Sequence, residues 1–413
     1  MPRRLALILL VLLAAIACGQ NQSNGSGAIV LGAIYPLSGP QAPGGKLELA
    51  GVETALALVR SQGGPDVRLR VIDATTPEAA SAAVDTLVKK DHVPAILGTY
   101  GSTLSAAASA RAEELKTVYW ETGAVADPIT AQRHYVFRTV ATGSSLGRMA
   151  VMFTHDVLIP QHHLSAPRAV IVRVNDIYGR SVGGGEQQLA KAVGINVVDV
   201  IEYSPTNYDV QAIAGRLAAD RPDFLWDVSY LDDGVAIWRA ILRAGVPLYG
   251  AIGTSSAFCM PAFGQRLGSE ALGVFAADKP DSGISPSALS GAGNALLLEA
   301  LARYERDNRA SSMEIPAVAG FVGGWTLFHD VLPHVSGSLT ADAIRSAAFA
   351  VDVPVGDSIN GGGVKFAGPG QPDEGQNTRA AAVVGQWQQF VLMKVVYPSA
   401  YATAEPIAPP YAR

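Results

Sequence analysis

The chain has 413 residues, a formal net charge of −5, 49% hydrophobic residues and two cysteines. That balance excludes a basic footprint for nucleic acid, and the length is too great for one small core, which points to two lobes. Two cysteines exclude a disulfide-built scaffold, and a protein of this size buries enough apolar surface without one.

Arg3 and Arg4 come first, followed by Leu5 to Ala17, thirteen residues without a charge. A membrane span needs about 20; the shorter run suits the apolar centre of a secretory signal. Ala15-Ile16-Ala17-Cys18 resembles the lipobox of bacterial lipoproteins, where the chain is cut before a cysteine that takes up lipid. This makes residues 1–17 a signal peptide and Cys18 the lipidation site; an ordinary signal with an incidental cysteine is the competing reading. The Gly/Ser/Asn/Gln-rich tract that completes segment 18–28 is a tether, a coil spanning roughly 15 to 18 Å. Without residues 1–17, which hold two arginines and no acid, the charge of −5 becomes −7. With Cys18 lipidated, Cys259 has no partner and reads as a small buried hydrophobe. No span-length apolar segment is expected after Ala17.

From Ile29 the pattern alternates. Strands are predicted at 29–35, 67–74 and 94–100, with a helix after the first whose apolar Leu49, Val52, Leu56 and Val59 recur at helical spacing. That helix closes on Gly63-Gly64. A second series follows Arg138-Thr139, with strands at 168–174, 195–203, 223–229 and 247–253 and a helix at 208–220. Helical segments at 285–307 and 316–335 and a strand-like stretch at 380–398 complete the chain. Strands alternating with helices mean βαβ units and parallel sheets, so the fold class is α/β with two lobes.

Parallel sheets place ligands outside the carboxyl ends of their strands. The stretches there are "PLSGPQAPGG", "TYGST", "WETGA", "NDIYG", "SYLDD" and "GTSSA", rich in groups that hold a small polar molecule and without a nucleophile–base pair. Three motifs are decoys. Gly143-Ser144-Ser145-Leu146-Gly147 matches a nucleophile elbow, but the later histidines, His329 and His334, fall in helical stretches, and helix capping explains the serines. Gly39 to Lys46 misses the phosphate-loop spacing by one, and Leu47 stands where a Ser or Thr is needed. His155, His162 and His163 lack metal-ligand spacing and read as a solvated loop. No catalytic residue, metal or cofactor is expected.

With these features in hand, the chain resembles the branched-chain amino acid and amide-binding proteins of ABC transporters, the leucine/isoleucine/valine-binding type. The resemblance runs through "IVLGAIYPLSGP", "LAGVETALALVRSQGG", "VIDATTPEAASAAVDTLVKKDHVPAILG", "HYVFRT", "NDIYGRSVG" and "GGGVKFAGPGQ…VVGQWQ…VVYP" in family order. It implies a class I periplasmic-binding fold, two Rossmann-like lobes with three crossovers and a cleft between them. The expected lobes are 29–140 plus 278–352 and 141–277 plus 353–398, with 399–413 as a tail. The resemblance further implies a solute receptor rather than an enzyme, exported to the periplasm or the outer face of the cytoplasmic membrane. Its partners would be a small-molecule ligand, the permease subunits and, through lipid, the membrane. Binding of an amide or an aromatic or aliphatic carboxylate, or sensing for a signalling partner, stays open as an alternative.

Carried over by position, Ser102 and Thr103 receive a ligand carboxylate at a helix N-terminus, where free amides and the helix dipole favour an anion. Thr122, Gly123 and Ala124 match a second loop of the first lobe, and Tyr178 and Tyr230 match aromatics that close over the ligand. The strand exit that carries an acid for the ligand ammonium in amino-acid binders reads Gly253-Thr254-Ser255-Ser256 here, and Ser255 is taken as a ligand contact. A buried ammonium needs a partner. Asp232 and Glu121 are the candidates, with Asp176 and Asp233 beside them.

Overall fold

The computed structural model describes residues 28–411; the signal, Cys18 and most of the tether lie outside them. β1 (Ile29–Tyr35), β2 (Val67–Asp73), β3 (Ala95–Gly98), β4 (Val118–Glu121) and β5 (Val136–Arg138) form a parallel sheet in the order β2-β1-β3-β4-β5. β6 (Arg168–Val174), β7 (Asn196–Tyr203), β8 (Phe224–Val228), β9 (Gly250–Thr254) and β10 (Phe275–Asp278) make the parallel part of a second sheet. β11 (Val383–Gln389) and β12 (Leu392–Tyr397) extend it as an antiparallel hairpin, giving β12-β11-β10-β9-β8-β6-β7. The strand-like stretch at 380–398 is therefore two strands, folded back around Phe390 and Val391.

The first lobe is completed by distant sequence. Helix Ala42–Ser61 crosses helix Ile315–Trp325 backbone to backbone: a Cβ on Gly51 would strike the Ala317 carbonyl, and one on Gly320 the Glu48 carbonyl. Only glycine permits that approach at both positions. The run Ile315–His334 is long and apolar enough to cross a membrane, contrary to the expectation from sequence, but most of it is buried in the lobe core. Phe366 packs edge-on against Trp120 at 5.3 Å and Phe137 at 5.2 Å. Bridges Phe366–Asn377 and Arg138–Gln376 hold the same segment to the first sheet. Residues 353–377 thus belong with the first lobe, and the third crossing falls after Asn377 rather than at the expected 352/353 boundary. The reason is packing, since Phe366 fills the centre of that core.

At the crossings the chain is tied to itself. Arg138, fully buried, donates through Nε to Gln376 Oε1 at 2.6 Å and through a terminal nitrogen to the Ala126 carbonyl at 2.6 Å. Gln376 and Asn377 in turn donate to the Val140 and Thr139 carbonyls, both at 2.8 Å. Burial lowers the Arg138 guanidinium to about 10, so it stays charged at neutral pH.

Candidate functional site

The two sheets face each other through their strand exits, and a cavity of about 500 Å3 lies between them. The first lobe contributes the Pro36–Gly44 loop after β1, Thr75 after β2, and Tyr100, Thr103 and Leu104 after β3. The second contributes Asn175 and Asp176 after β6, Pro205, Thr206 and Tyr208 after β7, Tyr230 to Asp233 after β8, and Ser256 and Met260 after β9. This is the strand-exit placement that parallel sheets dictate.

On the first-lobe side, Gly101 is extended and precedes helix Ser102–Glu114. The opening amides of a helix have no acceptor within it, and Thr103 and Leu104 present that first turn to the cavity. Ser102 is turned away: it is buried, and its hydroxyl accepts from the Ala126 amide at 3.2 Å. The second-lobe side is built on Asp176, which caps helix Ile177–Val193 by accepting from the Gly179 amide at 3.0 Å. Its other oxygen accepts from the Tyr230 hydroxyl at 2.7 Å. Tyr230 leans on Tyr178 with ring centroids 5.4 Å apart. Asp233 accepts from the Tyr203 hydroxyl, and burial raises its carboxyl above the ordinary carboxylate range. Asp232 is exposed and paired with Arg266 at 2.5 Å. Among the described residues, three aspartates and no lysine, arginine or histidine line the cavity. The site is therefore polarised, with helix amides on one wall and acids on the other.

Of the residues singled out from sequence, Thr103, Tyr230 and Asp232 line the cavity, as do Asp176 and Asp233. The others lie behind it. Thr122 is fully buried and its hydroxyl donates to Glu48 Oε1 at 2.6 Å, beside the Tyr35 hydroxyl at 2.8 Å. Gly123 and Ala124 turn their amides onto Glu121 Oε1 at 2.7 and 2.6 Å. Glu121 also accepts from the Thr99 amide and the Ser105 and Tyr119 hydroxyls. Tyr178 points down to donate to the Thr254 carbonyl at 2.9 Å. Ser255 is buried, and its carbonyl lies 2.7 Å from the Cys259 thiol. That thiol also touches Asp278 at 2.6 Å, and burial pushes its pKa up. Sequence reasoning missed Tyr100, Gln41, Tyr208 and Met260. The first two sat within the flagged strand exits; Tyr208 and Met260 carried no signal of their own.

The decoys have structural explanations. Thr142 caps helix Gly143–Phe153 by accepting from the Ser145 amide at 3.1 Å, with the Ser144 and Ser145 hydroxyls against it. His162 packs against Tyr249 with ring centroids 4.5 Å apart and planes tilted by 31°, rather than lying free in solvent. Among the described residues no group of three His, Cys, Asp or Glu is placed to hold a metal.

Residues 28–388 match the periplasmic binding protein family. The chain belongs to that family. It is 29% identical over 384 residues to Leu/Ile/Val-binding protein homolog 8 of Brucella abortus, covering 91% of this chain and 92% of that one. Its fold matches the branched-chain amino acid transporter substrate-binding protein of Streptococcus pneumoniae in complex with isoleucine. That match has a TM-score of 0.73 at 18% identity and covers 90% of this chain and 100% of the other. It also matches a solute-binding protein of an R. palustris ABC transporter in complex with benzoate, with a TM-score of 0.71 at 20% identity over 92% and 99% of the two chains. The protein is thus an exported periplasmic binding protein, similar in sequence to a Leu/Ile/Val-binding protein homologue and in fold to proteins solved with isoleucine and with benzoate. The family is one of binding proteins, not of enzymes.

Proposed function

We propose that the protein captures an amino acid with an apolar side chain, of the branched-chain type, in the interlobe cleft and passes it to an ABC permease. The polarity of the cleft carries this reading. The amides of Thr103 and Leu104 open a helix on one wall, and Asp176, Asp232 and Asp233 stand on the other. A zwitterion laid across satisfies both, with its carboxylate at the helix start and its ammonium beside the acids. Pro36, Pro40, Leu104, Tyr208, Tyr230 and Met260 supply apolar surface for the side chain. Contacts drawn from both lobes favour the closed state, and that differential affinity is what closes the cleft. The lipobox-like stretch at Cys18 supports anchoring to the membrane, where a released solute meets the permease.

Titration calorimetry with leucine, its deaminated analogue 4-methylpentanoate, and benzoate tests the reading. A charge-assisted hydrogen bond to the ammonium contributes about 1.5 to 3 kcal/mol, or roughly 10- to 150-fold. Leucine should exceed 4-methylpentanoate by that factor. Tighter binding of either carboxylate would instead assign the cleft to carboxylates without an amine.

A further inference from the structure

Tyr100 stands apart from the other cavity residues because it belongs to the first lobe and touches the second. Its hydroxyl reaches Met260 Sδ at 3.6 Å and meets the Ser256 hydroxyl. The phenol end of its ring lies over Gly44, in the first turn of helix Ala42–Ser61, where any Cβ would overlap the ring carbons. Gly44 itself is buried in that helical turn. Three segments remote in sequence therefore converge on one ring: 44 beneath it, 100 bearing it, and 256–260 across the cleft.

We propose that Tyr100, seated on Gly44, is the selectivity wall of this cleft: it closes the inner end and sets the largest apolar body that a solute can carry. The identity of that solute as an amino acid rests on the reading above; the wall itself does not depend on the amine. A rigid aromatic ring held from below and pinned at its hydroxyl by the opposite lobe cannot retreat without opening the cleft. Removing it gives space that only a larger solute fills. Gly44 is part of the same device, because a methyl group there displaces the ring without altering Tyr100.

The test measures dissociation constants by calorimetry for two size series on two headgroups: leucine, phenylalanine and tryptophan, and 4-methylpentanoate, 3-phenylpropanoate and indole-3-propanoate. Tyr100→Ala should move the preference toward the larger members by at least about tenfold relative to the wild type, the scale on which an apolar pocket discriminates size. Gly44→Ala should perturb the same ranking in the wild type and leave it unchanged in the Tyr100→Ala background. Tyr100→Phe keeps the ring and should preserve the ranking, which separates the wall from the hydroxyl contact. A uniform loss across a series in Tyr100→Ala, or additive effects of the two substitutions, would overturn the wall while leaving the amino-acid reading intact. If only the carboxylate series binds, the amino-acid reading falls and the wall is judged on that series. Binding of neither series by the wild type would overturn both.

Discussion

Both lobes bury glutamic acids completely, and Glu121 in the first and Glu186 in the second are handled in opposite ways. In the first lobe, Glu121 ends β4 and accepts from three amides and two hydroxyls, those of Thr99, Gly123, Ala124, Ser105 and Tyr119. In the second, Glu186 lies on helix Ile177–Val193 with neither carboxyl oxygen hydrogen-bonded, opposite Asp227, which leaves its own Oδ2 unpaired. Burial, then repulsion from Asp227, raises Glu186 from 4.5 to about 8; burial raises Asp227 from 3.8 to about 8 despite the Ser229 hydroxyl bond. The first acid organises the two loops that back the helix-start wall of the cleft. The second organises nothing by hydrogen bonding and is held neutral by its surroundings. A buried acid strengthens a site only when donors are arranged around it.

The largest expected effect follows from removing the well-bonded acid. Glu121→Leu strands the amides of Thr99, Gly123 and Ala124 in the interior, each a buried donor left unpaired at about 1 to 3 kcal/mol, and should cost about 3 to 5 kcal/mol in all. Urea unfolding reads this directly. A loss below about 1 kcal/mol would mean that the loops hold themselves and that Glu121 is incidental to them.

The opposite sign is expected in the other lobe. Glu186→Met keeps an unbranched stem and removes the unpaired carboxyl, so stability at pH 7 should rise by about 2 kcal/mol. The pH dependence gives a second readout. The unfolded chain releases the Glu186 proton near 4.5 and the folded chain near 8. Its contribution to stability is therefore complete below 4.5 and lost as pH rises to about 8. Glu186→Met should flatten the decline in that window by about 1.4 kcal/mol per pH unit, the linkage of one proton. An unchanged slope would show that Glu186 is ionised and paired in the folded protein.

The smallest effect sharpens the boundary between cleft and support. Ser102→Ala leaves the Ala126 amide without its acceptor and should lower stability by about 1 kcal/mol. Affinity for leucine should fall by less than the roughly tenfold that a lost bond to a charged ligand brings. A tenfold loss of affinity at unchanged stability would move Ser102 into the cleft itself.

The same contrast explains what was legible in the sequence. Strands β1 and β6 stand at the residues that their β-branched runs predict, because the centre of each is buried on two faces and reads as a continuous apolar run, "LGAIY" in β1 and "AVIV" in β6. β4 and β10 were not predicted: "VYWE" and "FAAD" are four residues each and end in an acid. The cleft was legible through topology, since strand exits converge whatever residues occupy them. Thr122 and Tyr178 were not legible as supports, because a hydroxyl that faces a ligand and one that faces a buried acid look alike in a string of letters. Buried acids are the least visible of all, as Glu and Asp default to the surface.

The triple crossing has a consequence for the order in which this chain becomes a protein. The first lobe lacks helix Ile315–Trp325 and Phe366 until residue 366 has been made. The second waits for β11, β12 and Tyr411, whose hydroxyl takes the Ala251 amide at 3.3 Å and donates to the Gly273 carbonyl at 3.1 Å. Neither lobe can complete its core from the N-terminal half alone, and contacts this remote in sequence form slowly. Such an architecture keeps the N-terminal half from closing either core by itself. Residues as late in the chain as Tyr411 are among those that let it close.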